Sequence, residues 1–143
     1  MTSYKHILVP TDLSDSCNPA AQQAKELAAL YDAKVTLVHI INYLPPGYVS
    51  VELPAEFASK EFLLKKAKVR MEEWAESQGL GDCERIIETG QPKKVIVQLM
   101  EDQKCDLVVL APHDESGFTR FFGSVTNAVA QSAKADVLIV RPE

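Results

Sequence analysis

Cysteine is scarce and badly spaced in this chain. Cys17, Cys83 and Cys105 are an odd set with no Cys-x-x-Cys, which excludes a disulfide framework and a thiolate zinc site. No apolar run approaches the roughly 20 residues that a bilayer span requires. The polar start, Met1 to His6, leads straight into an apolar strand, so no signal peptide is expected. Basic residues form no dense cluster: Lys65, Lys66, Lys68 and Arg70 run directly into Glu72 and Glu73, which reads as a solvated helix face. With 15 basic against 20 acidic residues and a net charge of −5, little counterion release would accompany binding to a phosphate backbone, and nucleic acid is excluded as a partner. Three histidines at 6, 39 and 113 are too scattered for a metal set. A Walker motif, Gly-x-Gly-x-x-Gly and paired catalytic carboxylates are all missing. These absences imply a cytoplasmic protein with reduced thiols and no contact with membrane or nucleic acid.

What is present is a regular alternation of strands and helices through 143 residues, the size of one domain that buries roughly 70% of its unfolded surface. The first strand is expected at about Tyr4 to Val9, and helix one follows with Ala20, Ala24, Leu27, Ala28 and Tyr31 on one face. Ser14, Ser16 and Asn18 are alternative caps for that helix, and Pro19 favours a late start. Strand two, Lys34 to Ile41, is nearly all apolar. Helix two runs from about Ala55 to Gln78, burying Phe57, Leu64, Ala67, Met71, Trp74 and Ala75, and Gly79 ends it. Strand three, Cys83 to Glu88, is more polar. Gly90-Gln91-Pro92 turns into helix three, which faces Val95, Ile96, Leu99 and Met100 inward. Strand four spans Leu107 to Ala111, helix four carries Val125, Ala128, Val129 and Ser132 on one side, and strand five spans Val137 to Arg141.

Such alternation builds parallel βαβ units, and continuous apolar strands are those covered on both sides. The expected fold is a single α/β domain over residues 1–143, with an open parallel five-stranded sheet in the order 3-2-1-4-5 and helices on both faces. Glu84, Arg85 and Glu88 suit strand three to an exposed edge. In a sheet of this order, ligands bind at the carboxyl ends of strands one and four, where the connections diverge. Pro10, Thr11 and Asp12 therefore meet Ala111, Pro112 and His113 at a crevice, and Gly123-Ser124-Val125 opens a helix whose free amides suit an anion. Strand five is the other edge, yet Val137, Leu138, Ile139 and Val140 carry no protective charge. Unblunted edges invite pairing, so a two-fold homodimer joined along this strand is expected.

Taken in order, Tyr4 to Ser14, Ala33 to His39, Gly90-Gln91-Pro92, Asp106 to Val109, Gly123-Ser124-Val125 and Val137 to Pro142 resemble the universal stress protein family across essentially the whole chain. The resemblance implies a five-stranded parallel α/β domain that commonly forms homodimers through its last strand. Some members of the family bind ATP, through a Gly-x2-Gly-x9-Gly-Ser/Thr pattern, the aspartate after strand one and the backbone near the end of strand two. By that resemblance Asp12 matches the aspartate, Ile40 or Ile41 the backbone contact, and Gly123 and Ser124 the final pair, with Gly117 and Val125 in the same phosphate-side segment. The first two glycines are replaced by Ala111 and Asp114, and eight residues separate Asp114 from Gly123, one fewer than the pattern requires. Glycine permits close amide approach and positive φ, which alanine and aspartate restrict. A carboxylate about 4 Å from a triphosphate costs about 4 kcal/mol at an effective dielectric of 20, roughly three orders of magnitude in affinity. ATP is therefore disfavoured as a cofactor unless a metal ion or Arg120 compensates.

Other chemistry reads as ordinary structure. His113 and Asp114 are adjacent and lack a partnered nucleophile, so they read as a polar loop. His39, inside an apolar strand, reads as a packed and hydrogen-bonded histidine, and His6 stands at a strand start. Asp12 serves either a ribose or adenine or the amides of its own turn. Ser124 caps helix four or contacts an anion. Tyr43 and Tyr48, on a proline-stiffened loop, form a lid or nothing functional. The resulting expectation is a stress-response protein without turnover, acting through its abundance and its protein contacts. An adenine-nucleotide switch is the first alternative, and a weak nucleotide hydrolase the second.

Overall fold

A computed structural model gives the fold for residues 3–42, 59–112, 127–132 and 134–141. The elements are β1 (His6–Pro10), a 3-10 turn (Asp15–Cys17), α1 (Asn18–Tyr31), β2 (Lys34–Ile41), α2 (Lys60–Ser77), β3 (Glu84–Thr89), α3 (Pro92–Asp102), β4 (Leu107–Leu110), helical residues 127–132 (α4) and β5 (Asp136–Ile139). All the strand pairings are parallel and the order is β3-β2-β1-β4-β5. This is the order that the sequence implied.

Strand alternation divides the core into two layers. Ile7 and Val9 of β1, Val35 and Leu37 of β2, and Leu107 and Val109 of β4 pack on Ala20, Ala21 and Ala24 of α1 and on Met71, Trp74 and Ala75 of α2. Leu8, Val38, Val108 and Leu110 point the other way, onto Ile96 and Met100 of α3 and Val129 of α4. Small alanines let α1 lie close to the sheet. Between α1 and α2, Trp74 Nε1 donates to Asn18 Oδ1 at 2.8 Å, and Gln22 Nε2 donates to the Gln78 carbonyl at 3.0 Å.

Several boundaries differ from the sequence reading. α1 begins at Asn18 after the 3-10 turn, with Pro19 in its first turn, and Ser14 and Ser16 bond elsewhere. Ser59 caps α2 by accepting from the Phe62 amide at 3.1 Å, while residues 55–58, including Phe57, lie outside the described residues. Leu64, Val95 and Leu99 are only half-buried. Tyr31 is 40% exposed because α1 has passed the sheet by its last turn. Its ring meets Tyr4 edge to face, with centroids 5.3 Å apart. Gly79 does end α2: at φ +72 it lets the Leu80 amide reach the Ala75 carbonyl at 2.8 Å, closing the helix with a left-handed residue.

β3 is an edge, as its charges implied. Lys34 pairs with Glu84 at 2.6 Å, and Arg85 forks onto Glu72 through Nε at 2.8 Å and Nη2 at 2.6 Å. The guanidinium holds the Glu72 carboxyl below the usual carboxylate range; the carboxylate side of the pair is half exposed, so the pair orients the edge more than it stabilises it.

Candidate functional site

β1 and β4 are hydrogen-bonded neighbours, with Ile7 opposite Leu107 and Leu8 opposite Val108. Continuing that register sets Thr11 opposite Ala111. The two strand tips expected to form the crevice are therefore side by side, with buried Thr11 and Ala111 at its floor.

The chain leaves β1 through a tightly tied turn. The Thr11 amide donates to the Val38 carbonyl at 2.8 Å, and Thr11 Oγ1 accepts from the Leu13 amide at 2.9 Å. Leu13 sits at φ +68, a left-handed conformation that is costly for a branched side chain, and it is buried in the core. Such strain persists only where the surroundings over-determine it. Asp12 supplies part of that determination: its Oδ1 accepts from the Ser14 amide at 2.9 Å, from the Ser14 hydroxyl and from the Cys17 thiol at 3.1 Å. Ser14 Oγ also meets Ser16 Oγ at 2.7 Å.

The second oxygen of Asp12 is different. Oδ2 is buried and has no hydrogen-bond partner among the described residues. Leaving such an acceptor unpaired costs free energy, and a ligand donor is one explanation for retaining it. Both readings of Asp12 thus find support in one side chain: Oδ1 serves the turn and Oδ2 is left for something else.

On the other rim, the Thr11–Val38 bond turns the backbone of Val38, and by alternation that of Ile40, toward β1. Ile41 faces β3, where its carbonyl accepts from the Gly90 amide at 3.0 Å. Of the two backbone contacts the resemblance allowed, Ile40 is the one whose carbonyl faces the crevice. Pro10 lies in β1, paired with Val38. His113, Asp114, Gly117, Arg120, Gly123, Ser124 and Val125 lie outside the described residues, as do Tyr43 and Tyr48.

Three features of this site were not evident from the sequence. The Cys17 thiol lies beneath the turn, and burial, aided by the Asp12 charge, pushes its pKa up to about 12. Leu13 adopts its strained conformation. His39, on the same face of β2 as Val35 and Leu37, donates from Nδ1 to the Thr11 carbonyl at 2.9 Å. The packed, hydrogen-bonded histidine read from the sequence is what the structure contains, but its partner is the crevice turn. Burial, with a smaller contribution from Arg70, holds the His39 pKa below its ordinary value. His6, by contrast, works at the opposite end of the sheet. Its Nδ1 meets the Gln103 carbonyl at 3.0 Å and its Nε2 meets Thr36 Oγ1 at 2.7 Å.

A groove of about 420 Å³ also lies at that opposite end, lined by Val97, Met100, Glu101, Lys104, Cys105, Ser132, Lys134 and Ala135. Lys104, Lys134 and Glu101 give its lining mixed charge. Burial pushes the Cys105 thiol pKa to about 11, so the thiol is not a nucleophile at neutral pH. By chemistry, the crevice is the better candidate. Among the described residues, no group of three or more His, Cys, Asp or Glu is placed to hold a metal ion, and no helix is long and apolar enough to cross a membrane.

β5 starts one residue earlier than expected, at Asp136, and ends at Ile139. Asp136 Oδ2 accepts from the Tyr4 hydroxyl at 2.7 Å. Val137 and Leu138 are half-buried, Val140 follows the strand with its amide on the Leu110 carbonyl at 2.9 Å, and Ile139 is 43% exposed.

Comparison with known proteins agrees with this architecture. The model of the universal stress protein family matches residues 3–141. Universal stress protein A homolog 2 of Coxiella burnetii is 34% identical over 142 residues, covering 99% of this chain and 97% of that protein. A universal stress protein of Methanocaldococcus jannaschii is 34% identical over 145 residues, covering 96% of this chain and 82% of its own length. Among solved structures, hypothetical protein MJ0577 superposes with a TM-score of 0.76 at 29% identity, covering 99% of both chains. A universal stress protein in complex with cAMP superposes with a TM-score of 0.61 at 30% identity, covering 97% of this chain and 98% of its own. With fold, strand order and sequence in agreement over nearly its full length, this chain belongs to the universal stress protein family.

Proposed function

We propose that this protein is a non-catalytic, homodimeric cytoplasmic regulator whose crevice takes an adenine nucleotide bearing a single phosphate. The observation that carries the reading is Asp12 Oδ2, a buried acceptor without a partner among the described residues, beside the seam of β1 and β4. A ribose hydroxyl or an adenine amine supplies the donor it lacks, and the Ile40 carbonyl adds a second acceptor on the opposite rim. The cAMP complex of a 30% identical relative supports an adenine nucleotide. Ala111 in place of glycine, followed in sequence by Asp114 and Glu115, favours one phosphate over three, because each added phosphate charge brings further repulsion. Both buried thiols hold their protons well above neutral pH, so neither serves as a nucleophile there.

Amide shifts in 15N-labelled protein test the reading. Adding AMP is expected to move the signals of Thr11, Asp12, Leu13 and Ile40; shifts absent there, or confined to the groove beside Lys104, would end it. Magnesium-dependent phosphate release above background, lost on Asp12→Ala, would overturn the non-catalytic assignment.

The homodimer rests on β5, an edge strand that runs apolar from Val137 to Ile139, with Ile139 exposed. Ile139→Lys places a charge on that edge and is expected to halve the mass seen by light scattering. A wild type that is already one chain removes the dimer.

A further inference from the structure

Thr11 is held at all three of its polar groups. Its amide donates to Val38, its hydroxyl oxygen accepts from Leu13, and its carbonyl accepts from His39 Nδ1 at 2.9 Å. That carbonyl belongs to the peptide joining Thr11 to Asp12. Rotating this peptide would swing the Asp12 side chain and release the left-handed Leu13, so whatever grips the carbonyl also aims the carboxylate. A carbonyl can only accept, so Nδ1 must carry the proton, and the bond fixes the tautomer of the ring. Two charged groups act on the imidazole: Arg70 from α2 and Asp12 from the turn itself.

We propose that His39 is a positioning residue of the crevice, whose Nδ1–H clamps the Thr11–Asp12 peptide and thereby directs Asp12 Oδ2 toward the ligand. The inference rests on the reading of the crevice as an adenine mononucleotide site. It assigns to β2 a side-chain role in ligand binding distinct from any backbone contact at Ile40. His39 acts through Asp12, from the floor of the turn.

Two substitutions separate this role from simple packing. Asparagine places its side-chain N–H where the histidine has Nδ1, so His39→Asn keeps the donor, whereas His39→Leu keeps apolar bulk and removes it. In the ligand-free protein, His39→Leu is expected to speed hydrogen exchange at the Leu13 and Ser14 amides about tenfold and to weaken AMP binding about tenfold, the loss of one neutral hydrogen bond. His39→Asn is expected to stay within about threefold of wild type in both. If the leucine variant fails to fold, His39→Val, suited to a strand, replaces it. Faster exchange with unchanged affinity would overturn the proposal, as would weaker affinity with unchanged exchange, which would mean direct ligand contact. So would an asparagine variant as impaired as leucine. A wild type that binds no AMP removes the crevice reading and with it the positioning role, whereas binding by the wild type with unaltered behaviour of His39→Leu removes the positioning role alone.

Discussion

Exchanging Asp12 for asparagine is expected to weaken AMP binding by about 10- to 150-fold, the value of one hydrogen bond to a charged acceptor, while leaving the turn in place. Asparagine keeps an oxygen where Oδ1 accepts from the Ser14 amide, the Ser14 hydroxyl and the Cys17 thiol. At the Oδ2 position it offers an N–H₂ group, so a ligand donor would meet another donor. Removing a negative charge relieves some repulsion of the phosphate, a smaller and screened effect across the length of a ribose. Calorimetric titration of wild type and variant reads the difference, and urea unfolding is expected to show stability preserved within about 1 kcal/mol. Equal affinities would mean that Oδ2 has no part in binding.

Alkaline pH is expected to produce the largest change in stability. In the unfolded chain the Cys17 thiol ionises near 9.0, whereas in the fold it keeps its proton to about 12. Between those values the folded state holds more protons than the unfolded state, so the unfolding free energy falls as pH rises. Each pH unit in that window removes about 1.4 kcal/mol, and the loss reaches about 4 kcal/mol by pH 12. Cys105, raised to about 11, adds to the same limb. In Cys17→Ala the Cys17 contribution vanishes, so urea midpoints measured at pH 8, 9.5 and 11 should fall less steeply than in the wild type. Because the Asp12 charge is the second cause of the thiol's rise, Asp12→Asn should also flatten the curve. Parallel curves for wild type and Cys17→Ala would show that the thiol is not held as the structure has it.

The parts of the fold legible in the sequence were those fixed by local pattern. Apolar runs at Ile7 to Val9, Val35 to Ile41 and Leu107 to Leu110 mark strands covered on both faces, and the order 3-2-1-4-5 follows from their alternation with helices. Gly79 announced the end of α2 because only a left-handed residue closes that helix with its observed bonds. Helical periodicity misplaced Tyr31, since the repeat continues after the helix has run past the sheet. At the site, the pairing of β1 with β4 and the position of Asp12 were readable.

What the sequence did not contain is the choice of partners across it. Thr11 and His39 are 28 positions apart, and no periodicity joins them. The left-handed Leu13 was equally hidden, because leucine seldom adopts positive φ. It is maintained by Thr11 Oγ1 and Asp12 Oδ1 acting together. The division of Asp12 into one committed and one unpaired oxygen is likewise a product of the folded turn. The choice between Ile40 and Ile41 required the Gly90–Ile41 bond to be seen.

Paired calorimetric titrations of the wild-type protein, one with AMP and one with ATP and magnesium, test the central claim most directly. Heat with AMP, and a dissociation constant at least about tenfold weaker for ATP, a difference of about 1.4 kcal/mol, is the predicted result. Silence with both nucleotides, or tighter binding of the triphosphate, would contradict a crevice built around Asp12 for an adenine nucleotide with one phosphate.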